Sequence, residues 1–327
     1  MPLTAVIGTG AWGAAAAALA AHSTPVVLLG RDQDKVSALA TSRQHEGLPG
    51  FTLPSAITIT HDPRELAAAD LVLWAVPTQH TRLQARRLCA SLPRGCAVVS
   101  LAKGLEQGSL KRVTEVLREE LGERPYACVS GPSMAGEVAA GKPLGLVVAG
   151  HDAACRDVVA RLHTGRCRLY TSTDLIGVEI AGALKNVIAI AAGICDGFGM
   201  GDNAKAVIVT RGLAEMRRLG RALGASDGTF AGLAGIGDLL TSSYSQLGRN
   251  RSLGKAIARG GDPQQLLAEN RSVAEGAWTC RAAVELATRH GIELPIASQV
   301  ANVIWAATPL PSAMETLLSR APKEEDV

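Results

Sequence analysis

The stretch LTAVIGTGAWG (residues 3–13) decides the fold of the first half of this chain. Its apolar run, residues 3–7, predicts a short buried strand. Residues 11–22 are rich in alanine, which loses no side-chain entropy in a helix. Residues 26–29 form a second apolar run. The three pieces together predict a β-α-β unit of about thirty residues, with glycines at the turn between the first strand and the helix.

The glycines of that turn, Gly8, Gly10 and Gly13, fit the pattern G-x-G-x-x-G. The first permits a tight turn, the second lets the backbone approach a pyrophosphate, and the third lets helix and strand pack closely. The helix N-terminus, with Ala11 and Trp12 in its first turn, presents free N–H groups to phosphates. The sequence therefore predicts an NAD or NADP site, and an ordinary glycine turn is the alternative.

The tip of the second strand carries Gly30, Arg31 and Asp32. An acidic residue at this point would bind the ribose 2′-OH and favour NAD, whereas an Arg accommodates a 2′-phosphate. Because Arg31 stands close to that position, we expect NADP to bind at least as well as NAD. The alternative is an Arg31 side chain that simply faces solvent.

The alternation of strand and helix continues along the first half. Apolar runs predict strands at residues 71–75, 97–100, 127–129, 144–148 and 166–170. Between these strands we predict helices at 78–90 and 109–121, the second of which is capped by Ser109. After residue 173 helical periodicity alone predicts segments 174–194, 204–223, 253–259, 279–290 and 296–305. We predict an α/β N-terminal Rossmann domain with a doubly wound, mostly parallel sheet (1–176), followed by an all-α C-terminal domain (177–327).

Composition excludes several classes of protein. Lys plus Arg is 33 and Asp plus Glu is 30, so charge gives no case for binding nucleic acid or a membrane surface. The seven Cys show no C-x-x-C pair and the seven His no H-x-x-x-H spacing, which predicts free thiols in a reducing compartment and no metal site. The most apolar stretch is interrupted by Lys185, so we expect no membrane span and a cytoplasmic protein.

Four segments place polar residues in apolar, glycine-rich surroundings: AKGLE (102–106), SGPSMA (130–135), LKNV (184–187) and GIGDL (235–239). A lysine inside an apolar helix is costly unless it is paired or functional. Spacing alone gives equal weight to a Lys185 side chain that extends to the surface.

These four segments and the glycine motif resemble NAD(P)-dependent glycerol-3-phosphate dehydrogenases of the bacterial type. The resemblance includes four further segments, at residues 203–205, 210–215, 248–251 and 273–276. The resemblance runs from Gly8 to about Trp305. It implies reversible reduction of dihydroxyacetone phosphate to sn-glycerol 3-phosphate, which supplies phospholipid synthesis. It also implies a small phosphorylated substrate, no metal and no nucleic acid. Dimerisation through the helical half is a further expectation.

The resemblance implies a catalytic group. Lys185 matches the proton-transfer lysine and Lys103 a second lysine that touches substrate and cofactor. Asp238 matches an aspartate that orients Lys185 and binds a substrate hydroxyl, and Asn186 a substrate-binding position. Two neighbouring ammonium groups would lower each other's pKa, which suits a proton shuttle near neutral pH.

The resemblance also implies binding positions. Arg249 and Asn250 match the phosphate-binding pair, and an Arg fork suits two phosphate oxygens. The remaining matches are substrate contacts at Gly131, Ser133 and Gly248 and cofactor contacts at Ala135, Arg249, Val273 and Glu275. Many relatives have Ser at position 248 and Ser or Thr at position 11. We expect backbone N–H groups to replace the hydroxyls there, and segment 244–247 has no assigned role.

Three other functions stay open at this point. A dehydrogenase of another hydroxyacid or sugar phosphate would need a different anion-binding set in place of Arg249 and Asn250. A catalytically silent NADP-binding sensor would not need Lys103, Lys185 and Asp238. A structural helical scaffold would not need the glycine motif.

Overall fold

The structure is a computed structural model that describes residues 2–269, 274–321 and 324. It divides into two compact units. Unit 1 comprises Met1–Ala102 and Val113–Leu175, and unit 2 comprises Lys103–Arg112 and Ile176–Val327. The sequence did not predict that Lys103–Arg112 belongs to unit 2, and the domain limits 1–176 and 177–327 stay a prediction.

Unit 1 is built on an eight-stranded sheet. Its strands are β1 (Thr4–Ile7), β2 (Val26–Leu29), β3 (Ile57–Thr60), β4 (Leu71–Trp74), β5 (Ala97–Ser100), β6 (Tyr126–Ser130), β7 (Leu144–Gly150) and β8 (Cys167–Ser172). They lie in the order β3-β2-β1-β4-β5-β6-β7-β8, and every pairing is parallel except the antiparallel β6–β7 pair. The predicted doubly wound, mostly parallel sheet is confirmed.

Helices cover both faces of this sheet. They are α1 (Ala11–Ala20), α2 (Gln33–Ser42), α3 (Thr78–Leu88), α4 (Val113–Leu121), α5 (Ala135–Ala139) and α6 (Asp152–Leu162), with 3₁₀ turns at Pro63–Leu66 and Cys89–Ser91. Neighbouring strand residues belong to different apolar clusters, Val6 to one and Ala5 and Ile7 to the other. Both faces of β1 are therefore buried, which explains why this strand reads as a continuous apolar run.

Unit 2 is helical. Its helices are α7 (Leu175–Phe198), α8 (Gly201–Ala222), α9 (Asp227–Ala231), α10 (Asp238–Tyr244), α11 (Arg249–Ala258), α12 (Pro263–Glu269), α13 (Glu275–Arg289), α14 (Pro295–Trp305) and α15 (Leu310–Leu318), and a π-helical turn spans Leu233–Gly237. Helix α7 is long and apolar enough to cross a membrane by length and composition, but 89% of its most apolar window is buried inside the protein. That burial is typical of a core helix.

The predicted helix start at Ser109 is wrong, because α4 begins at Val113. Gly108 and Leu110 have positive φ angles of 78° and 63°, which no helix accommodates. The Ser109 hydroxyl instead donates to the Glu106 carboxylate at 2.5 Å. The segment turns back on itself, and Leu105 and Leu110 join the hydrophobic core of unit 2.

The cysteines are all free thiols, as predicted. Six of them are buried and only Cys89 is exposed.

Candidate active site

The glycine turn between β1 and α1 has no room for a side chain at Gly8 or Gly13. Gly8 has φ 114°, and a Cβ atom there would lie 2.6 Å from the carbonyl oxygen of Ala75. A Cβ atom at Gly13 would lie 2.0 Å from the carbonyl oxygen of Gly8. No side chain fits either position, because helix, turn and strand β4 approach one another at backbone distance.

Gly10 is different, because a Cβ atom there would meet nothing within 4 Å. The open space lies in front of the first turn of α1, which no side chain caps among the described residues. In the same turn the Trp12 indole Nε1 is buried, and within the described part of the chain it has no hydrogen-bond partner. An open cradle at an uncapped helix N-terminus fits the pyrophosphate of a dinucleotide.

Two neighbouring residues after the end of β2, Arg31 and Asp32, have different roles. Asp32 caps α2, because its carboxylate accepts a hydrogen bond from the Lys35 backbone N–H at 3.1 Å. Arg31 is exposed at the end of the strand. The acidic side chain is thus committed to the helix, and the basic one faces outward.

The loop after β6 carries the predicted residues Gly131, Ser133 and Ala135. Gly131 has φ 126°, and Ala135 begins α5. The Ser133 hydroxyl donates to the Gly131 carbonyl oxygen at 2.9 Å, which closes the loop on itself.

Unit 2 assembles the charged cluster: Lys103, Lys185 and Asp238. The Lys103 ammonium contacts Asp238 Oδ2 at 2.6 Å, and the Lys185 ammonium contacts Oδ1 at 3.0 Å. Asp238 is 2% exposed and Lys185 is 7% exposed. The alternative that Lys185 extends to the surface is therefore wrong.

Burial and charge together set the protonation of this cluster. Burial lowers the pKa of Lys185 to about 8; the carboxylate of Asp238 opposes the shift, and the charges of Lys103 and Arg249 add to it. Burial alone would raise the pKa of Asp238, but the two lysines outweigh it and the pKa is lowered. Repulsion between lysines, the cause expected from the sequence, is thus secondary to desolvation.

Ser242 is a further member of the cluster that sequence analysis missed. Its hydroxyl accepts a hydrogen bond from Lys185 Nζ at 2.6 Å. Asp238 and Ser242 stand four residues apart on α10 and therefore share a face of that helix. A π-helical turn immediately precedes α10, and such turns are frequent at functional sites.

A chain of amides joins the cluster to the predicted phosphate-binding residues. Asn186 Nδ2 donates to the Lys103 carbonyl oxygen at 2.9 Å, and Asn250 Nδ2 donates to Asn186 Oδ1 at 2.9 Å. The Gly276 backbone N–H donates to Asn250 Oδ1 at 3.0 Å. Segment 103–112, α7, α11 and α13 are thereby held in one arrangement.

The first turns of α11 and α13 carry the other predicted residues of unit 2. Arg249 begins α11 with its side chain exposed, and Glu275 begins α13. The N–H of Gly248, expected to replace a hydroxyl, instead donates to the Ser245 carbonyl oxygen at 3.3 Å. Val273 lies outside the described residues.

Comparison with known proteins agrees with this arrangement over almost the whole chain. The sequence-family model for the NAD-dependent glycerol-3-phosphate dehydrogenase N-terminus matches residues 4–156, and the family model for the C-terminus matches residues 174–315. The chain belongs to the NAD-dependent glycerol-3-phosphate dehydrogenase family. The resemblance given by the sequence motifs is thus confirmed.

Relatives within the family match over nearly their full length. The glycerol-3-phosphate dehydrogenase [NAD(P)+] of Dechloromonas aromatica is 42% identical over 98% of each chain. That of Rhodospirillum rubrum is 44% identical over 97% of this chain and 92% of its own. The crystal structure of glycerol-3-phosphate dehydrogenase from Coxiella burnetii covers 98% of this chain and 99% of its own, with 33% identity and a TM-score of 0.93.

Proposed function

We propose that this chain reversibly reduces dihydroxyacetone phosphate to sn-glycerol 3-phosphate with NADPH or NADH, and that the product supplies phospholipid synthesis. The observation that carries the proposal is a buried Lys185 ammonium held by Asp238 in a member of this family. When bound, the nicotinamide cofactor exchanges a hydride with the carbon that carries the substrate oxygen.

Lys185 supplies and removes the proton on the substrate oxygen. Negative charge builds on that oxygen during reduction, and an ammonium group with a pKa of about 8 can donate a proton to it near neutral pH. Of its three N–H bonds, one is directed to Asp238 and one to Ser242, so a third can meet the substrate. In oxidation the neutral amine takes the proton from the hydroxyl.

Lys103 and Asp238 prepare the site for that step. The Lys103 ammonium adds positive charge where the oxyanion develops, and a charge fixed in advance costs no reorganisation during the reaction. Asp238 holds both lysines by separate oxygens and so sets the direction of each ammonium group. Its second role is to accept a hydrogen bond from a substrate hydroxyl.

Arg249 and Asn250 bind the phosphate of the substrate in this proposal. They are the first two residues of α11, where the helix dipole favours an anion. The Asn250 amide is already oriented by Asn186 and Gly276, which prepares its remaining N–H for a phosphate oxygen. Asn186, Gly131 and Ser133 are the further proposed substrate contacts, whereas the Gly248 N–H is already directed to the Ser245 carbonyl oxygen.

The cofactor would be held by the glycine turn, through Gly8, Gly10, Ala11, Trp12 and Gly13. Further proposed contacts come from Lys103, Ala135, Arg249, Val273 and Glu275. We propose that the exposed Arg31 accepts the 2′-phosphate of NADP. Replacing Arg31 with Ala would then raise the KM for NADPH about tenfold, because a charge-assisted contact is lost, and leave the KM for NADH unchanged.

The decisive experiment combines two cofactors with two ketones. Nicotinamide absorbance is followed with NADPH or NADH, and with dihydroxyacetone phosphate or dihydroxyacetone. We expect efficient oxidation of both cofactors only with the phosphorylated ketone. Cofactor binding without turnover would support a silent sensor, and equal rates with both ketones would contradict a phosphate site at Arg249 and Asn250.

Two further properties concern the compartment and the oligomeric state. Free thiols throughout suit a reducing cytoplasm. Dimerisation through unit 2 is proposed from the apolar side chains of Phe198 and Leu318, which are 43% and 77% exposed. Light scattering of the purified protein would give the oligomeric state.

A further inference from the structure

We propose that Asp196 is a positioning residue for the phosphate of the substrate. Through Arg251 it fixes the first turn of α11, which carries Arg249 and Asn250. The proposal rests on the proposed function, because the phosphate role of that turn comes from there.

Asp196 lies in the last turn of α7, between two cations. Its carboxylate accepts hydrogen bonds from Lys205 Nζ at 2.8 and 3.0 Å and also from Arg251 Nε. We call these three residues the Asp196 clamp. Lys205 belongs to α8 and Arg251 to α11, so one carboxylate joins three helices.

The clamp reaches a fourth element as well. The Lys205 ammonium lies 4.4 Å from the centre of the Tyr244 ring at the end of α10. Arg251 Nη1 donates to the Ser245 carbonyl oxygen at 3.3 Å. Segment 244–247, which has no role assigned from sequence, is therefore tied to the clamp at Tyr244 and next to it at Ser245.

Helix geometry connects the clamp to the phosphate residues. Successive residues rotate by about 100° around a helix axis, so Arg251 points nearly opposite to Arg249 within the same turn. Arg251 contacts the carboxylate of Asp196 on α7, and Arg249 is exposed. Any rotation of the turn that breaks the Arg251 contact also displaces Arg249.

Helices α7 and α11 pack closely beside that turn. A Cβ atom at Gly193 would lie 2.0 Å from the Arg251 carbonyl oxygen, and one at Gly254 would lie 2.0 Å from the Ile190 carbonyl oxygen. The two helices thus meet backbone to backbone, without interlocking side chains at these points. The ion pair between Asp196 and Arg251 adds a directional contact beside this close packing and, together with the Asn186–Asn250 hydrogen bond, fixes the rotation of α11.

Unit 2 offers a matched control for this proposal. Asp227 also lies between two cations, since it accepts hydrogen bonds from Arg217 at 3.3 Å and from Arg221 Nε at 2.6 Å. Arg217 and Arg221 belong to α8 and Asp227 to α9, so the described partners of this carboxylate lie on α8 rather than on α11. Asp227→Asn therefore removes the same charge from the same kind of cluster without loosening the phosphate turn.

The test compares Asp196→Asn with Asp227→Asn in the full chain, using both ketones. We expect Asp196→Asn to raise the KM for dihydroxyacetone phosphate about tenfold, because the phosphate contacts lose their alignment. The kcat, the KM for NADPH and the kcat/KM for dihydroxyacetone should stay close to wild type. Asp227→Asn should change none of these constants.

Additional variants separate positioning from general damage. Arg251→Gln should reproduce the effect of Asp196→Asn, Lys205→Met should have a smaller effect, and Asp196→Glu should recover part of the lost affinity. Equal KM values for Asp196→Asn and Asp227→Asn would overturn the proposal, as would equal losses with both ketones. If wild-type protein did not turn over dihydroxyacetone phosphate, the proposed function itself would fail before any variant was tested.

Discussion

The glycine turn of unit 1 and the charged cluster of unit 2 are built by opposite means. The turn is made of backbone from one short stretch, and its shape depends on atoms that are missing at Gly8 and Gly13. The cluster is made of side chains from distant stretches, since Lys103 and Asp238 are 135 positions apart in the sequence. One site is therefore damaged by adding a methyl group and the other by removing a charge, which gives each a distinct mutational signature.

The largest effect is expected at the charged cluster. Lys185→Ala should lower kcat about 10²–10⁴-fold, because the positioned proton donor is lost, while the KM for NADPH stays near wild type. Steady-state kinetics in both directions would measure this. Lys35→Ala, which removes a lysine whose side chain is 83% exposed, is the control. A wild-type kcat in Lys185→Ala would remove the proton-transfer assignment.

A smaller effect is expected at the phosphate turn. Arg249→Ala should raise the KM for dihydroxyacetone phosphate about a hundredfold, because contacts to a charged group are lost. Dihydroxyacetone, which has no phosphate, should react at an unchanged rate. Arg259→Ala at the opposite end of α11 provides the comparison. An unaltered KM would count against the phosphate role of Arg249.

Two substitutions in the glycine turn should distinguish its effect on stability from its effect on cofactor binding. Gly13→Ala places a methyl group against the Gly8 carbonyl and should lower the free energy of unfolding by about 1–3 kcal/mol. Gly10→Ala meets no protein atom, so stability should be kept while the Kd for NADPH rises about tenfold. Chemical denaturation and fluorescence titration would measure the two. The idea of a cradle at Gly10 would fail if Gly10→Ala bound NADPH as wild type does.

The smallest expected effects are shifts of pH profiles. Oxidation of glycerol 3-phosphate needs neutral Lys185, so kcat/KM should rise with pH through about 8. Asp238 raises the pKa of Lys185 and Lys103 lowers it. Asp238→Asn should therefore move the profile to lower pH, and Lys103→Met should move it to higher pH. Shifts in the same direction would contradict the electrostatic account of the cluster.

The parts of the fold that the sequence predicts well are those decided by neighbouring residues. Strand β1, the glycine turn, α1 and β2 follow one another without interruption, and all were predicted. Strand β3, with sequence ITIT and only Ile57 buried, was missed because it has little apolar signal. The short helix α5 was missed because five residues are too few to show a helical periodicity.

In the candidate site, too, the residues in recognisable local motifs were predicted and those that depend on long-range packing were missed. The charged residues Lys103, Lys185 and Asp238 were predicted from motifs that resemble a family, and the structure supplies their distances. Ser242 was not predicted, because only its spacing from Asp238 hints at a shared face and its partner Lys185 is 57 residues away. The Asp196 clamp was missed because its three members lie on three helices whose packing no local pattern reports.

The excursion of Lys103–Arg112 has a consequence for how the molecule is made. Leu105 and Leu110 belong to the interior of unit 2, yet a ribosome synthesises them well before any of the helices that surround them. The helical unit therefore cannot close around its own later residues alone, and a gene fragment beginning at residue 176 would encode a protein with two vacancies in its core. Such a fragment would also lack Lys103, so we expect it to be both unstable and inactive.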